Sequence, residues 1–414
     1  MTLLKRTDNR LLAGFIALSV TSGTSAGIMQ LVLPLYALSL NIGDGGIGLF
    51  RSLTHLGGLV TTLPSGFFID RFGPRKVYLA SGLLDVFFIL LIPFASDRGL
   101  LMLLIFVEGG IAVIRWNALN SAFLDRLDYF GLVRAGWMRA AMAVGFSFLG
   151  PLIGGQLLRY TNYLFAYIVM AACILLPLCF IPGFRTGEPA DHHLSFAEDD
   201  EPVLAQFRRL ATNRHLLRTG LLQGVAMGCH HAFLVFLIIL MVKDLGHSSE
   251  VASLVVASQG IGAVLVMFWG GDLADRFRMQ KVHLAAFLMQ IFGLAAAGFF
   301  GNLWLLGLGA VVLAMGAGLL MATSYSQLGK MAGKKGKVFA LFFLLTGAGV
   351  AVAPLFCGYL ASLFGIRAAF IGLLPLEAMV LGYLAFTWNE EKRRHMSMTI
   401  VKGAYHAENC GCHQ

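Results

Sequence analysis

Seven ionisable residues interrupt long apolar stretches of this 414-residue chain, and their side chains have the clearest capacity for chemistry. They are His55, Asp85, Glu108, Arg115, His230, His231 and Glu377. Carboxyl groups and imidazoles take up and release protons, and a guanidinium binds anions. A charge in an apolar helix is energetically costly and usually faces a cavity or a partner. These residues therefore indicate proton transfer or ligand binding within the apolar part of the protein.

The elements that hold these residues are predicted to be membrane-spanning helices. Only 13% of the residues are charged and 57% are hydrophobic, whereas soluble proteins carry about 25% charged residues. About 20 apolar residues cross a bilayer core, and the backbone there must satisfy its own hydrogen bonds, as a helix does. Twelve such segments are predicted, at residues 11–38, 47–68, 77–95, 99–122, 137–158, 161–182, 216–242, 251–270, 281–300, 303–324, 338–361 and 366–388.

Lysine and arginine are distributed unevenly between the two sides of the predicted helices. Five lie on the side opposite the termini: Arg51, Arg98, Arg159, Lys243 and Arg367. Arg115 lies within a span, which leaves 25 of the 31 basic residues on the side of the termini. Basic residues accumulate on the cytoplasmic side of membranes, so both termini are predicted to be cytoplasmic. The net charge of +9 then follows from topology and does not indicate nucleic-acid binding.

The two halves of the chain resemble each other. Gly66–Lys76 shares Gly, Asp, Arg, Phe and Lys with Gly271–Lys281, and Pro151–Gly155 aligns with Pro354–Gly358. Such duplication indicates two structural repeats, and two six-helix repeats around a midplane site form a transporter architecture. The expected parts are a first bundle at 1–183, a polar connection at 184–215, a second bundle at 216–389 and a tail at 390–414.

Two motifs resemble those of a known family. Gly66–Lys76 resembles the signature G-x-x-x-D-R-x-G-R-R/K between helices two and three of the major facilitator superfamily, with Pro74 inserted before Arg75. Gly145–Gly155 in helix five is similar to the antiporter motif of the drug/proton antiporter branch of that family. The resemblance covers residues 11–388. It implies an all-α membrane protein, with twelve transmembrane helices in two pseudo-symmetric six-helix bundles, located in the cytoplasmic (inner) membrane.

The resemblance implies that the first motif acts as a latch. It places Asp70 near the start of helix eleven, about Val338, where a helix N-terminus favours a negative charge. That contact would hold the cytoplasmic side shut. The latch segment comprises Gly66, Asp70, Arg71, Gly73, Arg75 and Lys76. The equivalent segment of the second half, where Arg278 replaces the glycine, is expected to act more weakly through Asp275 and Arg276.

Helix five is rich in glycine and contains a proline. Gly145, Gly150, Gly154 and Gly155 permit close approach of a neighbouring helix, and Pro151 removes a backbone donor and bends the helix. We predict a tight seam between the two bundles here. The alternative is helix packing that has no bearing on the direction of transport.

Helix four departs from the family pattern R-x-x-Q-G. It has no arginine at the expected position, and Glu108 replaces the glutamine. Arg115 lies two turns further on, on the same face as Glu108. Glu108 is the favoured proton-coupling residue, because a buried carboxyl can load and release a proton. The structural alternatives are a pairing of Glu108 with Arg51, His55 or Arg115, and an Asp85–Arg115 pair.

According to the resemblance, helices one, four, seven and ten line the central cavity. The candidate cavity residues are Gln30, Glu108, Arg115, His230 and His231. Adjacent helical residues are about 100° apart, so only one of the two histidines can point squarely into the cavity. Either histidine can instead be a hydrogen-bonded packing residue. Helix one contains no acid, which argues against a cationic multidrug substrate.

Other functional classes are disfavoured by the sequence. It has no phosphate-binding Gly-Lys-Ser/Thr loop, no catalytic constellation and no soluble domain that would hold an enzyme. We expect no cofactor and no metal, with Cys410 and Cys412 in a disordered tail and Glu377 in a structural role. The sequence therefore predicts a monomeric, proton-coupled exporter of a small molecule. The alternatives are an uptake or facilitative transporter of the same fold and a transporter-like sensor or assembly component.

Overall fold

The computed structural model describes residues 2–95, 97–124, 140–178, 212–277, 279–330 and 335–387. Within these residues the chain forms twelve helices and no strand, which confirms the predicted fold class. The helices are α1 Thr2–Ser39, α2 Asp44–Phe72, α3 Pro74–Leu91, α4 Arg98–Leu124, α5 Ala140–Tyr160, α6 Tyr163–Leu178, α7 Arg214–Ile239, α8 Ser249–Arg276, α9 Met279–Phe299, α10 Leu303–Lys330, α11 Lys335–Phe364 and α12 Arg367–Thr387. The predicted tail, and the predicted connection up to residue 211, lie outside the described residues.

The predicted helix limits around Gly66–Lys76, residue 68 for helix two and residue 77 for helix three, are wrong. Helix α2 continues through Asp70 to Phe72, and α3 begins at Pro74. Gly73 alone makes the turn, with a φ of 81° that favours glycine, and its N–H donates to the carbonyl oxygen of Ile69 at 2.8 Å. Proline suits the first position of the next helix, because its missing N–H has no partner there anyway. In the same way, α8 continues through Asp275 and Arg276. Hydropathy marks the bilayer boundary, not the end of the helix.

A proline and a π turn shape helix α5. Residues Gly145–Leu149 form one π turn, in which the N–H of Gly150 donates to the carbonyl oxygen of Gly145, five residues earlier. Pro151 follows directly. A proline ring clashes with the carbonyl four residues before it, and the wider π turn accommodates that carbonyl. The helix therefore continues across the proline to Tyr160.

The helices pack as two groups of six. In the first group, α1 contacts α5 and α6, α2 contacts α4, and α3 contacts α4 and α6. In the second group, α7 contacts α11, α8 contacts α10, and α9 contacts α10 and α12. The two groups meet along α2 with α11, α5 with α8, and α1 with α7. This arrangement confirms the predicted pair of six-helix bundles.

Within the described residues, a shared apolar core joins the two bundles at one end. We call the ends at which α1 begins and α12 ends the termini side, and the opposite ends the distal side. One apolar core on the distal side contains residues of both bundles, among them Leu35, Ile47, Phe236 and Val256. On the termini side the apolar cores are separate. One belongs to the first bundle and contains Phe15, Ile69 and Phe123, and another belongs to the second bundle and contains Leu216, Val338 and Phe342. The described residues therefore form a structure that is closed on the distal side.

Polar contacts reinforce the distal closure. The Lys243 ammonium, just after α7, donates to both carboxylate oxygens of Asp44 at the start of α2, at 2.7 and 2.9 Å. Arg159 of α5 forms an ion pair with Glu250 of α8, and the Gln156 amide donates to the same carboxylate at 3.3 Å. Both contacts join the first bundle to the second. They are exposed enough that screening limits their energy, so their chief effect is on the register of the two bundles.

Candidate functional site

A buried ion pair lies inside the first bundle. The Arg115 guanidinium of α4 donates through Nε to Asp85 Oδ2 of α3 at 2.8 Å and through Nη1 to Ser22 Oγ of α1 at 3.1 Å. The Ser22 hydroxyl also lies 3.5 Å from the Tyr78 hydroxyl. The structure therefore forms the Asp85–Arg115 pair that the sequence offered as an alternative. All of these partners of Arg115 belong to the first bundle, so the network ties α1, α3 and α4 together.

Removal of one member of this pair is expected to destabilise the protein strongly. An Arg115→Met variant leaves the Asp85 carboxylate buried without its cation, which typically costs about 3–5 kcal/mol. An additional Asp85→Leu substitution removes the stranded charge and is expected to recover most of that loss. Thermal unfolding of the detergent-purified protein measures both variants. A double variant as unstable as the single one would contradict this account.

Close helix contact positions a second group of charges between α2 and α4. A Cβ atom at Gly109 would lie 2.1 Å from the carbonyl oxygen of Thr54, and one at Gly57 would lie 1.9 Å from that of Phe106. Glycine is therefore required at both positions for the two backbones to touch. This crossing places Glu108, directly before Gly109, beside the segment of α2 that follows Arg51.

Arg51 and Glu108 are both buried, and each is only 5% exposed. They act on each other electrostatically. Neither forms an ion pair or a hydrogen bond with another described residue. The sequence had offered Arg51 as a structural partner of Glu108, but the structure shows no direct contact between the two. A buried guanidinium and a buried carboxyl thus interact electrostatically without a direct contact.

Histidines extend this group across the two bundles. His55 lies one turn after Arg51 on α2, and its ring packs edge-to-face against His231 of α7 with the ring centroids 5.0 Å apart. His230 turns away and its Nε2 lies 2.9 Å from the amide oxygen of Gln259 on α8. The two adjacent histidines thus have different surroundings, as their 100° separation predicts. Only His231 meets the first bundle through His55.

Several buried polar atoms here have no hydrogen-bond partner among the described residues. They are Arg51 Nε, His55 Nε2, Glu108 Oε2, Tyr167 OH and His231 Nδ1. Tyr167 of α6 acts electrostatically on Glu108. Buried polar groups in proteins nearly always have partners, so a concentration of unpartnered ones indicates a site that a ligand or water completes. We call Arg51, His55, Glu108, Tyr167 and His231 the central cluster.

Part of the central cluster is predictable from the sequence. Glu108 and His231 were candidate cavity residues, and Arg51 and His55 were considered as partners. Tyr167 is not among the predicted residues. A tyrosine in an apolar helix needs a hydrogen-bond partner for its hydroxyl, and this requirement is the signal that indicates it. Gln30 of α1 is also buried, with both amide atoms unpartnered among the described residues, but no contact joins it to the cluster.

The glycines of α5 face two different neighbours. A Cβ atom at Gly145 would lie 2.3 Å from the carbonyl oxygen of Val20, and one at Gly150 would lie 2.5 Å from Gly27 Cα, both in α1 of the same bundle. Gly154 also packs on α1. Gly155 instead faces Ser253 of α8 in the second bundle. The predicted seam between bundles is therefore present at Gly155 and wrong for the other three glycines, which the π turn aligns towards α1.

The predicted latch residues lie at the termini side. Asp70, Arg71 and Lys76 are exposed, and Gly66, Gly73 and Arg75 are partly buried. In the second bundle Arg276 is exposed, whereas the side chain of Asp275 lies outside the described part of the structure. The apolar cores of the two bundles are separate on this side, and the latch role of these residues stays a prediction.

Glu377 is fully buried inside the second bundle. With its amide oriented to satisfy its neighbours, Gln290 of α9 donates to Glu377 Oε1 at 2.9 Å and to the Ala226 carbonyl oxygen at 3.2 Å. This contact joins α12 to α9 and α7. Within the described residues no group of three or more His, Cys, Asp or Glu side chains is arranged to hold a metal ion. Cys410 and Cys412 lie outside those residues.

Comparison with known proteins identifies related sequences along almost the whole chain. The family description "Major Facilitator Superfamily" matches residues 15–241 and 219–397. The "Probable nitrate transporter NarT" of Staphylococcus haemolyticus is 25% identical over 91% of this chain and 92% of its own length. The "Multidrug resistance protein MdtG" of Proteus mirabilis is 24% identical over 89% of this chain and 92% of its own length.

Two solved structures share the fold. The nucleoside transporter NupG superimposes with a TM-score of 0.76 at 13% identity and covers 91% of this chain and 99% of its own. A bacterial homologue of the human lysosomal transporter Spinster, described as inward-facing and unoccupied, gives a TM-score of 0.68 at 15% identity and covers 91% and 94%. At these identities the likeness concerns the fold alone.

Proposed function

The chain belongs to the Major Facilitator Superfamily, and we propose that it is a proton-coupled transporter that exports a small molecule across the cytoplasmic membrane. Membership of this family makes it an integral, multi-pass membrane transporter and not an enzyme. The central cluster is the observation that supports the proposal of proton-coupled export. Its buried carboxyl, Glu108, interacts electrostatically with Arg51, and Arg51 in turn interacts with His55 and His231, whose rings meet between the two bundles.

The mechanism follows from the placement of that carboxyl. With cytoplasmic termini, as the basic residues predict, the structure is closed to the outside and open to the cytoplasm. Protonation of Glu108 removes a negative charge that acts on Arg51. The net charge of the central cluster, where the bundles meet, then becomes more positive. A proton shifts the balance of inward and outward states only if the two states bind it with different affinity. In the proposed cycle, substrate leaves as a proton enters, because both use Glu108.

Two observations support export. Gly145–Gly155 of α5 resembles the antiporter motif of the family, and Gly155 packs directly on α8 of the opposite bundle. Several of the relatives are named multidrug resistance proteins. The second candidate function is uptake or facilitated transport by the same fold, since the similarly related protein named as a probable nitrate transporter is not named for multidrug resistance.

Proton movement in vesicles tests the proposal. The purified protein is reconstituted with its termini side outward and with an acidic lumen that contains a pH-sensitive dye. Substrates from a panel of drugs, organic anions and amino acids are then added outside. An exporter that exchanges substrate for protons makes the lumen more alkaline, relative to protein-free vesicles. A substrate that enters while the lumen becomes more acidic, or with no proton movement, would overturn proton-coupled export.

The latch leads to a further prediction. An Asp70→Asn substitution removes the negative charge that is proposed to meet the N-terminus of α11 when the cytoplasmic side closes, an interaction worth about 0.3–1 kcal/mol. We expect transport to slow about two- to fivefold, with unchanged relative rates among substrates. Initial transport rates for several substrates provide the measurement. A change in substrate preference would show that Asp70 acts on binding instead.

A further inference from the structure

We propose that the central cluster binds a small zwitterion, which places its anionic group on Arg51 and its cationic group on Glu108. This inference rests on the proposed transport function and names the substrate class of the same site. It concerns compounds that carry both an ammonium and a carboxylate group, of which free amino acids are the simplest.

The first argument is the charge balance of the site. Arg51 and Glu108 are each 5% exposed, and their ionised forms carry opposite charges, yet they make no ion-pair contact. Arg51 Nε and Glu108 Oε2 also have no hydrogen-bond partner among the described residues. A buried charge without a close partner is costly. A ligand with the complementary pair of charges relieves that cost at both ends.

The neighbouring charges argue against ligands with a single charge. A simple anion on Arg51 would lie beside the Glu108 carboxylate, and a simple cation on Glu108 would lie beside the Arg51 guanidinium. Like charges at close range in a poorly solvated site repel each other strongly. The next charges, Asp85 and Arg115, pair with each other at 2.8 Å. Their opposite charges offset each other in part, and Asp85 acts on Glu108 more strongly than Arg115 does.

The position of the site links it to the movement of the bundles. Arg51 and His55 are four residues apart and share one face of α2, while His231 belongs to α7 of the second bundle. The two histidines are partly exposed whereas Arg51 is buried, so the site is approached past His55 and His231 from the termini side. The unpartnered His231 Nδ1 gives the second bundle a contact to the same ligand. Binding is thereby coupled to the relative position of the bundles.

Proton exchange at Glu108 agrees with this ligand class. The ammonium group of a zwitterion and a proton compete for one carboxylate, which makes their binding mutually exclusive. The groups that interact electrostatically with Glu108 are Arg51 of α2, Asp85 of α3, Arg115 of α4 and Tyr167 of α6, and the His55–His231 contact lies on the side of Arg51. Arg51 stays charged throughout, so protonation of Glu108 breaks the ammonium contact and leaves only the carboxylate contact at Arg51, which weakens binding of the ligand and favours its release.

Ligand-induced stabilisation of the detergent-purified full chain tests the inference. The probes are the twenty standard amino acids, with β-alanine and γ-aminobutyrate to vary the charge spacing. Each zwitterion that raises the unfolding midpoint is compared with its methyl ester, which lacks the anion, and its N-acetyl form, which lacks the cation. We expect both blocked forms to bind roughly 10- to 100-fold more weakly, since each loses a hydrogen-bonded charge contact.

Two variants assign the charges within the site. The Arg51→Gln variant is expected to bind the zwitterion no more tightly than its methyl ester. The Glu108→Gln variant is expected to bind the zwitterion no more tightly than its N-acetyl form. The matched controls are Glu377→Gln, a buried acid in the second bundle, and Arg98→Gln, an exposed arginine on the distal side. Both controls are expected to retain the full discrimination.

The outcomes separate this inference from the proposed function. If no zwitterion stabilises the protein, or if a blocked form binds as tightly as its parent, the zwitterion site is refuted. Proton-coupled export of a compound with a single charge or none, seen in the vesicle experiment, would also refute it and would leave the proposed function standing. Zwitterion binding without proton exchange would refute the proposed function and support the site.

Discussion

A Glu108→Gln variant is expected to lose substrate-driven proton movement completely, to the level of protein-free vesicles. Glutamine preserves the shape of the side chain and its capacity for hydrogen bonds, but it takes up no proton. The wild-type protein is expected to bind substrate more weakly as the pH falls, because protons compete for the carboxylate. With one proton in competition, the affinity changes by up to about tenfold per pH unit. In the variant this pH dependence is expected to disappear.

Glu377→Gln provides the matched control for this prediction. Glu377 is also a fully buried acid in a helix, but its Oε1 already accepts a hydrogen bond from Gln290 and it lies inside the second bundle. Its replacement is expected to leave proton exchange intact. The measurements are the vesicle pH signal and substrate affinity between pH 5 and 9, a range set by the roughly neutral working pH of proton-coupled sites. Proton exchange that survives in Glu108→Gln and is lost in Glu377→Gln would move the coupling site to the second bundle.

Most of the architecture follows from the sequence, because the physics that sets it is local. Lipid requires helices, and hydropathy locates them, so all twelve were placed to within a few residues at most ends. The repeat between Pro151–Gly155 and Pro354–Gly358 indicated two bundles. The Asp85–Arg115 pair was considered because the two residues lie at similar depth on consecutive helices, and depth can be counted along the chain.

The central cluster depends on rotations that a sequence does not specify. Hydropathy gave no signal that α2 continues to Phe72, because the charged residues leave the bilayer while the helix persists. The glycines of α5 turn towards α1 because of a π turn, which changes the face on which each residue lies. His55 and His231 belong to different bundles, and no periodicity in the sequence predicts that their rings meet. Each of these features comes from packing between distant segments.

A disulfide between α2 and α11 on the distal side is expected to abolish transport reversibly. A Cβ atom built at Gly45 of α2 lies 3.6 Å from Ser362 Cβ of α11. Disulfides join Cβ atoms that are about 3.5–4.5 Å apart, so Gly45→Cys with Ser362→Cys is expected to cross-link readily. Because α2 and α11 belong to different bundles, the bond holds the distal side closed. Substrate then still binds from the termini side but is not released on the other side.

The experiment needs a background in which the six native cysteines are replaced, since Cys357 lies close to the proposed disulfide. The measurements are vesicle transport and ligand-induced stabilisation, each before and after reduction. Each single-cysteine variant is expected to transport normally, which separates the cross-link from the substitutions. Continued transport by the fully cross-linked protein would show that α2 and α11 do not separate during the cycle.

The reason to expect a complete block lies in the packing next to the cross-link. A Cβ atom at Gly48 would lie 2.4 Å from the Pro354 carbonyl oxygen and 2.8 Å from Gly358 Cα, so the two backbones touch one turn below the proposed disulfide. Packed backbones of this kind separate as rigid units or not at all, because interiors are close-packed and resist gradual deformation. The Lys243–Asp44 ion pair lies at the same end of α2 and must also break. A single disulfide at Gly45 therefore prevents the separation of all these contacts, which must occur when the distal side opens.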